Sequence, residues 1–414
     1  MKLLAVIAEY NPFHKGHQWH IEHSKSMTGA THTMALMSGS IVQRGTFALT
    51  DKWTRARSAV LGGVDLICEL PYVYAGQSAE YFASGAVKIL NACGCCQWLS
   101  FGSESGDLKT LEPIARILSE ESADFKESLR FFLDQGLPFP RARTAAVSQM
   151  TDLPVQTQMN APNNILGIEY LKALNKTQSS ILPLTFKRKG SGYHESVPRA
   201  DRYASATALR HLLNQNNRKP NSEEMQLLKE QLPYSPKVLL QALENHAYAE
   251  NESLFKALLH LLITTPLETL RKLPYFEPGL EFRLKSLPEH VSDLEGLYLA
   301  LMTKHLPKSR IQRLLMSLIT GFTDDALQSF ASPDFIPYLR VLAFNEKGQS
   351  ILKAIRQNGT LPIITNVKSN QTLLDEEQRN CLNWDIRTTD LFSLYCDKNY
   401  THHRDYLNPP VRVI

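Results

Sequence analysis

The chain has 414 residues, of which 43% are hydrophobic and 21% charged, a balance typical of a globular protein long enough for two domains. Its 45 basic and 41 acidic residues give a net charge of +4. This small excess of positive charge permits an RNA partner, but it excludes an extended basic arm that would bind RNA. The six cysteines are too sparse for a disulfide framework, and no apolar run reaches the length of a signal peptide core or a membrane span, so we expect a cytoplasmic protein with reduced thiols and no membrane partner.

The first predicted strand, Leu3 to Ala8, runs directly into the sequence EYNPFHKGHQWH. Its six apolar or small residues predict a strand buried on both faces of a parallel sheet. Pro12 turns the chain, and the residues after it predict a helix from about His17 to Met27. A helix start presents free N–H groups and a partial positive charge, so strand, turn and helix together predict a phosphate site.

Two histidines stand at the start of this helix. His14 and His17 are three positions apart, so they fall on one side of a helical turn, where both can donate to one phosphoryl group. Gly16 lets the backbone approach a ligand that a Cβ would push away. His14, His17 and Lys15 are therefore the candidate catalytic residues. For a His-x-Gly-His tetrad alone, two surface histidines on an ordinary helix remain the alternative.

Strands and helices then alternate through the first half of the chain. Apolar segments predict strands at Thr33–Met37, Val64–Leu70 and Gln97–Phe101, and helices run from Thr50 or Asp51 to Leu61 and from Ser78 to Leu90. This alternation predicts right-handed crossovers and a doubly wound parallel sheet. Ligands of such sheets bind beyond the carboxyl ends of the strands, where strand order reverses. Residues at the carboxyl ends of the predicted strands are thereby candidates for nucleotide contact: Ser38, Gly39, Glu69 and Gly102.

The middle of the chain supplies further candidates. Two helical patterns, Leu108–Leu118 and Ala123–Leu133, precede the segment Pro138–Arg143, which predicts a loop. Asn163 and Asn164 stand at a predicted helix start, where an asparagine either caps the helix or faces a ligand.

A further predicted strand, Ser180–Phe186, ends in the basic loop Lys187–Gly192, whose three consecutive basic residues, Lys187, Arg188 and Lys189, can grip a triphosphate or an RNA backbone. The stretch Ser205-Ala206-Thr207-Ala208-Leu209-Arg210 follows. Hydroxyls and a guanidinium at a helix N-terminus can close on phosphates, so Ser205, Thr207 and Arg210 are secondary phosphate-binding candidates. A capped amphipathic helix is the alternative.

The sequence pattern changes after about Pro220. Residues 223–270 and 293–357 show amphipathic periodicity and predict successive helices. The chain is therefore expected to divide into an α/β domain at 1–218 and a mainly helical domain at 219–414. In the tail, the run Thr401-His402-His403-Arg404 lacks the ligand spacing of a metal site, and no protein metal site is predicted.

These motifs together resemble a known superfamily. His-x-Gly-His directly after the first strand is similar to the signature of the nucleotidyltransferases that include class I aminoacyl-tRNA synthetases, and Ser205 to Arg210 resembles their second signature. The ten residues from Ala8 to His17 resemble a narrower group, the bacterial tRNA(Met) cytidine acetate ligase family. The strand ends Met37-Ser38-Gly39 and Phe101-Gly102-Ser103-Glu104 and the helical remainder extend the resemblance over most of the chain.

The resemblance implies a Rossmann-like ATP-binding domain followed by a helical domain that binds tRNA. The implied reaction activates acetate as acetyl-adenylate and acetylates the exocyclic amine of the wobble cytidine in elongator tRNA(Met), giving N4-acetylcytidine, AMP and diphosphate, with ATP as substrate and Mg²⁺ expected. Basic side chains of the helical region, Arg310 and Arg313, are the tRNA-binding candidates. The residues implied to bind ATP are Ile7, Ala8, Glu9, Tyr10, Asn11, Pro12, Phe13, His14, Lys15, Gly16, His17, Gln18, Trp19, His20, Gly102, Asn163 or Asn164, and Arg188.

Three alternatives stay open at the level of sequence. A small-molecule adenylyltransferase of the same superfamily shares both signatures, but such chains usually stop soon after the second one. A class I aminoacyl-tRNA synthetase needs a Lys-Met-Ser-Lys-Ser-like loop downstream, and His23-Ser24-Lys25-Ser26 lies too close to the first motif to serve. A tRNA-binding protein with a non-catalytic nucleotide pocket is the third.

Overall fold

The computed structural model describes residues 1–188, 203–214, 219–245 and 250–414. The strands in these ranges are β1 (Leu3–Ala8), β2 (His32–Ser38), β3 (Ile41–Val42), β4 (Thr46–Phe47), β5 (Leu66–Leu70), β6 (Trp98–Ser103), β7 (Leu182–Lys187), β8 (Leu339–Phe344), β9 (Ile363–Ile364) and β10 (Val411–Arg412).

The helices of the N-terminal half are α1 (Lys15–Thr28), α2 (Lys52–Leu61), α3 (Tyr72–Ala75), α4 (Ala79–Ala92), α5 (Leu108–Glu120), α6 (Ala123–Asp134), α7 (Phe139–Ser148), α8 (Val155–Asn160), α9 (Pro162–Lys176) and α10 (Ala206–Asn214). Those that follow are α11 (Ser222–Gln231), α12 (Pro236–Glu244), α13 (Glu250–Thr264), α14 (Leu267–Leu270), α15 (Leu280–Ser286), α16 (Leu294–Leu301), α17 (Lys308–Thr320), α18 (Asp324–Ala331), α19 (Glu346–Asn358), α20 (Val367–Asn370), α21 (Glu376–Cys396) and α22 (Arg404–Leu407).

One sheet of eight strands organises the described residues, in the order β10-β8-β5-β2-β1-β6-β7 with β9 beside β8. The pairs are parallel except for β5 with β8, which is antiparallel. Strands β3 and β4 form a separate antiparallel pair. The expected doubly wound sheet is confirmed, with one antiparallel neighbour that the sequence analysis does not predict.

The strand order reverses beside β1. From β1 the chain adds β2 and then β5 on one side, and β6 and β7 are added on the other side. A crevice therefore opens beyond the carboxyl ends of β1 and β6, as expected for open α/β sheets. The His-x-Gly-His segment begins six residues after β1 ends and so lies at this switch point.

Both faces of the sheet are covered, which explains the unbroken apolar character of β1. Leu3 and Ala5 belong to a core cluster that includes α4, α5 and α9, whereas Val6 belongs to a cluster on the opposite face that includes α2 and α10. Successive side chains of a strand point to opposite faces, so a strand with helices on both sides needs apolar residues at every position.

The region after residue 219 contributes a third cluster, formed by α13, α15, α16 and α17 with their connecting segments. The same region also returns to the sheet through β8, β9 and β10. The expected division at residue 218 falls within 215–218, outside the described residues, and stays a prediction.

Two segments differ from the sequence-based predictions. Pro138–Arg143 is predicted as a loop, but helix α7 begins at Phe139, because proline is compatible with the first turn of a helix. Leu339–Phe344 lies within a stretch predicted as helix, but it is strand β8. A short apolar run carries too few residues for its periodicity to separate strand from helix.

Among the described residues, we find no helix that combines the length and apolar character needed to cross a membrane.

Candidate active site

The N-terminus of α1 is capped by imidazoles. His14 is the N-cap residue, and its Nδ1 accepts a hydrogen bond from the Gly16 N–H at 3.0 Å. In return, the Nδ1 of His17 accepts from the His14 N–H at 3.3 Å. This is a capping box in which two histidines take the places that a hydroxyl or amide residue and a glutamate usually fill. Lys15 is the first helical residue.

The capping box also fixes the tautomer of both rings. Because each Nδ1 accepts a backbone N–H, we assign the ring proton of His14 and His17 to Nε2. The two rings lie side by side with centroids 3.8 Å apart. Each Nε2–H therefore remains a donor, and neither Nδ1 is available to a ligand. The expectation that the two imidazoles share one side of a helical turn is confirmed.

The charge state of these rings follows from their surroundings. Burial, reinforced by the positive charges of Arg188 and Arg210, lowers the pKa of His14 to about 3. Burial also lowers the pKa of His17 well below its usual value, with His14, Arg188 and His20 adding to the effect. Both imidazoles are neutral at physiological pH in the free protein. They are therefore uncharged N–H donors, and the net positive charge beside them lies on the guanidinium groups.

Gly16 has a local structural role beside the one predicted for it. A Cβ at this position would lie 2.8 Å from Cε1 and 2.9 Å from Nδ1 of His14. Any larger residue would push the imidazole out of its capping position. The glycine therefore protects the geometry of the first histidine directly.

Arg188 lies at the end of β7 and faces the N-terminus of α9. Its Nη1 donates to Oδ1 of Asn163, and the Nδ2 of Asn163 donates to Glu104 at 2.7 Å. Gly102 makes room for it, since a Cβ there would lie 2.8 Å from Cγ of Arg188. The structure thus brings together Gly102, Asn163 and Arg188, which come from three separate elements. The rest of the basic loop, Lys189 to Gly192, lies outside the described residues.

The two asparagines at the start of α9 have different roles. Asn164 is buried, and its Oδ1 accepts from the N–H groups of Glu104 and Ser105 at 2.9 and 3.1 Å. Its Nδ2 donates to Gln158 at 2.7 Å. Asn164 holds the loop after β6 against the helix, whereas Asn163 contacts the guanidinium of Arg188. This favours Asn163 as the one that meets a nucleotide.

The second signature lies against the first. Nη1 of Arg210 donates to the carbonyl of Asn11 at 2.6 Å, and Nη2 donates to Thr207 Oγ1 at 3.0 Å. Ser205 Oγ accepts from the Ala208 N–H at 3.1 Å, which caps α10. Arg210 therefore joins the turn after β1, although 199 positions separate it from Asn11.

The strand end at Ser38 and Gly39 is enclosed by other side chains. Both residues are buried, and their carbonyls accept hydrogen bonds from the guanidinium of Arg55. A Cβ at Gly39 would collide with Oε1 of Glu69. In this arrangement neither residue offers surface to a ligand, and their part in phosphate binding stays a prediction.

A buried ionic cluster supports this strand end, and the sequence analysis misses it. Lys52 lies 2.8 Å from Glu69 and 2.8 Å from Asp405, and all three side chains are almost fully buried. Burial acts to raise the pKa of Asp405, but Lys52 and Arg340 outweigh it and hold that pKa below its usual range. Local sequence contains no signal for this cluster, because Asp405 is 353 positions from Lys52.

The remaining candidates of the first motif surround the imidazoles. Tyr10 and Phe13 are buried with their ring centroids 5.0 and 5.5 Å from that of His17. His20 is hydrogen-bonded to Ser100 at 2.9 Å, and burial lowers its pKa to about 3, with Arg188 and His23 adding to the effect. Ile7, Ala8, Glu9, Gln18 and Trp19 are partly exposed.

Arg310 and Arg313 lie on α17. Arg310 forms an ion pair with Glu277 at 2.7 Å and donates to the carbonyl of Tyr275 at 3.0 Å. The guanidinium of Arg313 lies 5.3 Å from the centroid of the Tyr275 ring. Both arginines are partly buried and already make contacts within the protein. Their expected role in tRNA binding stays a prediction.

Comparison with known proteins tests the resemblance. The chain matches the family HIGH Nucleotidyl Transferase over residues 1–406. A tRNA(Met) cytidine acetate ligase of Acetivibrio thermocellus is 37% identical over 408 residues, which cover 96% of each chain. The ligase of the same name from Halothermothrix orenii is 37% identical over 433 residues, covering all of both chains.

Solved structures support the same family. The apo form of Thermotoga maritima TmcAL matches with a TM-score of 0.91 at 30% identity, and its form bound with alpha-thio ATP matches with 0.89 at 29% identity. Both matches cover 100% of each chain. With an imidazole-capped helix N-terminus at the switch point of the sheet and relatives of this similarity over its full length, the chain belongs to the tRNA(Met) cytidine acetate ligase family of HIGH nucleotidyl transferases.

Proposed function

We propose that this protein uses ATP to activate acetate and transfers the acetyl group to the wobble cytidine of elongator tRNA(Met). One observation carries the proposal: the neutral imidazoles of His14 and His17 lie with their ring centroids 3.8 Å apart at the switch point, where the positive charge of Arg188 acts on both rings and that of Arg210 acts on His14. The relatives named tRNA(Met) cytidine acetate ligase support the choice of acyl donor and acceptor. A cytoplasmic location, where ATP and tRNA meet, belongs to the proposal.

The first step joins acetate to the nucleotide. A carboxylate oxygen of acetate attacks the α-phosphorus of ATP, the bond from that phosphorus to the bridging oxygen breaks, and diphosphate leaves. The two Nε2–H groups donate to phosphate oxygens as negative charge shifts onto them, and Arg188 and Arg210 stabilise the same charge. A single donor of this kind contributes about 3–4 kcal/mol to lowering the barrier. Because no proton has to move in this step, neutral imidazoles are suited to it.

The second step transfers the acetyl group. The exocyclic N4 of the cytidine attacks the acetyl carbonyl, the bond from the carbonyl carbon to the phosphate oxygen breaks, and AMP leaves. N4 loses one proton to solvent water, and the product is N4-acetylcytidine. The donors that stabilise charge in the first step also contact the departing phosphate of AMP, so one set of side chains serves both steps.

Magnesium belongs to the substrate in this scheme. Within the described ranges, the group of three His, Cys, Asp or Glu side chains close enough to hold a metal is Asp390, His402 and His403, which lie on and after α21 and not at the strand ends of the crevice. Mg²⁺ usually keeps several waters and binds through substrate phosphates with one or two carboxylates. We therefore place the cation on the phosphates of ATP.

The proposal includes a tRNA surface on the helical region, with Arg310 and Arg313 as its candidates. An arginine that holds a tyrosine and a glutamate in place can still present N–H groups to a phosphate, because the guanidinium has five of them. The exposed fraction of the Arg310 side chain, 27%, leaves part of that group open.

The deciding experiment combines purified protein, ATP, elongator tRNA(Met) and isotopically labelled acetate, followed by mass spectrometry of the digested tRNA nucleosides. Labelled N4-acetylcytidine is the expected product, with one diphosphate released per acetyl group. A tRNA with uridine at the wobble position is the matched control and should stay unlabelled.

Three other outcomes would contradict the proposal. Diphosphate release that needs a small nucleotide-like acceptor in place of tRNA would indicate a small-molecule adenylyltransferase. Activity with an amino acid in place of acetate would indicate an aminoacyl-tRNA synthetase. Binding of tRNA and ATP without any diphosphate release would indicate a non-catalytic pocket.

A further inference from the structure

A cluster of metal-ligating side chains lies where α21 is followed by the loop to α22. Asp390 belongs to α21, and His402 and His403 belong to that loop. Nδ1 of His402 lies 3.2 Å from Oδ2 of Asp390, and Nδ1 of His403 lies 3.5 Å from the same oxygen. One ligating atom from each of the three residues lies within 4.8 Å of the other two.

These separations match the edges of a metal coordination shell. A zinc ion with nitrogen and oxygen ligands at about 2.0–2.1 Å has tetrahedral edges of about 3.3–3.4 Å. The two measured nitrogen-to-oxygen separations, 3.2 and 3.5 Å, bracket that value. An ion can therefore reach all three atoms with small movements of the side chains.

The loop holds the histidines in this arrangement through its own contacts. His403 adopts the left-handed backbone conformation, with φ of 57°, and its N–H donates to Oδ1 of Asp390 at 2.7 Å. This bond occupies one carboxylate oxygen and orients the other toward the imidazoles. The hydroxyl of Tyr400 lies 2.7 Å from Nδ1 of His402, and an ion bound at that nitrogen takes the place of this contact.

The two imidazole rings lie with their centroids 3.4 Å apart, and both Nδ1 atoms lie beside the same carboxylate oxygen. A direct hydrogen bond from each ring to that oxygen requires the Nδ1–H tautomer of both histidines. With the proton on Nε2 instead, both Nδ1 lone pairs and the carboxylate oxygen are available to one divalent cation.

We propose that Asp390, His402 and His403 bind a divalent transition-metal ion, with zinc as the best fit and water as the fourth ligand. Imidazole nitrogen suits zinc, copper and nickel, whereas magnesium and calcium prefer oxygen ligands, so this site is chemically distinct from the Mg²⁺ carried by ATP. The exposed fractions of His402 and His403, 53% and 54%, leave an open path for the ion.

The site fastens the C-terminal segment to α21. Arg404 follows the histidines and is paired with Asp397 at 2.9 Å, and Asp405 then enters the buried cluster with Lys52. An ion bound at this loop therefore stabilises the segment that brings Asp405 into the buried cluster with Lys52. The sequence does not predict this site for two reasons. The adjacent histidines His402 and His403 lack the usual ligand spacing, and the third ligand, Asp390, lies 12 positions before His402, on a helix.

The test uses full-length protein without a histidine tag, stripped of metal with EDTA. Zinc affinity is measured by competition with a chromophoric chelator for the parent protein and for H402A, H403A and D390N. Asparagine keeps an oxygen for the His403 N–H, so that variant preserves the loop bond while it removes the charge. His305→Ala removes an exposed histidine elsewhere and is the matched control.

The parent and the control should bind one zinc ion per chain, and each triad variant should lose affinity by on the order of a hundredfold. Zinc should also raise the melting temperature of the parent but not that of the triad variants. Equal zinc affinity in all of these proteins would overturn the proposal. Thiolate charge-transfer absorption in the Co²⁺ complex would overturn it as well, because it would place the ion on cysteine.

Discussion

At the scale of single residues, the site depends on what one imidazole ring does with each of its two nitrogens. Nδ1 accepts a backbone N–H at the start of α1, and Nε2 keeps a proton for the ligand. An arginine or lysine at position 14 or 17 would donate to a phosphate but would have no acceptor for the helix cap. Histidine supplies both functions from one rigid group.

The first prediction concerns His17. Replacement by alanine removes one phosphate donor and one half of the capping box. We expect the rate of acetyl-adenylate formation to fall by about a hundredfold, as for the loss of an oxyanion donor, while the free energy of unfolding falls by no more than about 1 kcal/mol. Diphosphate release with ATP and acetate measures the rate, and urea unfolding measures the stability.

His32→Ala is the control for this variant, because His32 begins β2 and so lies at the amino-terminal end of the strands, opposite the carboxyl ends where the crevice opens. It should leave the rate unchanged. A parental rate in H17A would show that this imidazole does not contact the reacting phosphate.

The second prediction concerns pH. The pKa of a histidine is about 6.5 in the unfolded chain, whereas that of His14 is about 3 in the folded one. Between these values the unfolded state binds more protons, so stability falls as the pH decreases from about 6.5 toward about 3. Each such histidine contributes at most about 1.4 kcal/mol per pH unit in this window.

The test compares the stability of the parent protein with that of His14→Asn, because asparagine keeps an acceptor for the helix cap. Urea unfolding without ATP between about pH 7 and about pH 5 should show a shallower decline of stability in the variant. The same slope in both proteins would mean that the imidazole of His14 titrates normally in the folded state.

At the scale of helices and strands, the crevice is built where several elements end. Sequence predicts β1, α1 and most of the alternation that follows, because the apolar runs and the caps are local signals. The N-cap of α2 is an example, since Asp51 accepts from the Thr54 N–H at 3.0 Å as its position suggests. What local patterns do not reveal is how distant ends meet, as Arg210 meets the carbonyl of Asn11.

The same limit explains the missed elements. Strand β8 contains Arg340, whose charge interrupts an apolar run. Only the partners of Arg340 show why it is buried. Its Nη1 donates to the carbonyl of Thr365, and its Nη2 lies 3.6 Å from Asp405. Those partners are distant in sequence. Arg55, which joins the ends of β1 and β2 through backbone carbonyls, likewise appears from the sequence to be an ordinary helix residue.

The third prediction separates the two asparagines of α9. N164A leaves the partly buried N–H groups of Glu104 and Ser105 without their acceptor and opens a gap at a buried side chain, so we expect a loss of stability on the order of 2–4 kcal/mol. N163A should leave stability within about 1 kcal/mol of the parent and raise the KM for ATP several-fold, because Arg188 loses the partner that orients it. Urea unfolding and ATP titration of diphosphate release measure the two effects. The reverse pattern would exchange the assigned roles.

At the scale of the whole molecule, the C-terminal half is joined to the catalytic half by more than covalent connection. It contributes strands to the same sheet and a carboxylate to the buried cluster beneath the strand ends. Composition and periodicity describe this half as helical and do not reveal its return to the sheet. The family identified from the short motifs is confirmed over the full length of the chain.

The fourth prediction concerns the proposed tRNA surface. The double variant R310Q/R313Q removes two positive charges without introducing negative ones next to Glu277. We expect weaker tRNA binding and a salt dependence whose slope is reduced by about two, with unchanged diphosphate release in the absence of tRNA. Filter binding across a salt series is the measurement.

Arg271→Gln is the control, because Arg271 is also an ion-paired arginine of the helical region, held by Glu268 and Glu281. It should not change the slope. Unaltered tRNA affinity in the double variant would place the RNA surface on other residues.

The central claim is that the imidazoles of His14 and His17, at the N-terminus of α1, hold the α-phosphate of ATP through their Nε2–H groups. A crystal structure with a nonhydrolysable ATP analogue tests it most directly. We predict an α-phosphate oxygen at hydrogen-bonding distance, about 2.7–3.2 Å, from Nε2 of His14 and of His17, with Arg188 and Arg210 beside the phosphates. An analogue bound elsewhere, or one that met these rings only through Nδ1, would contradict the account.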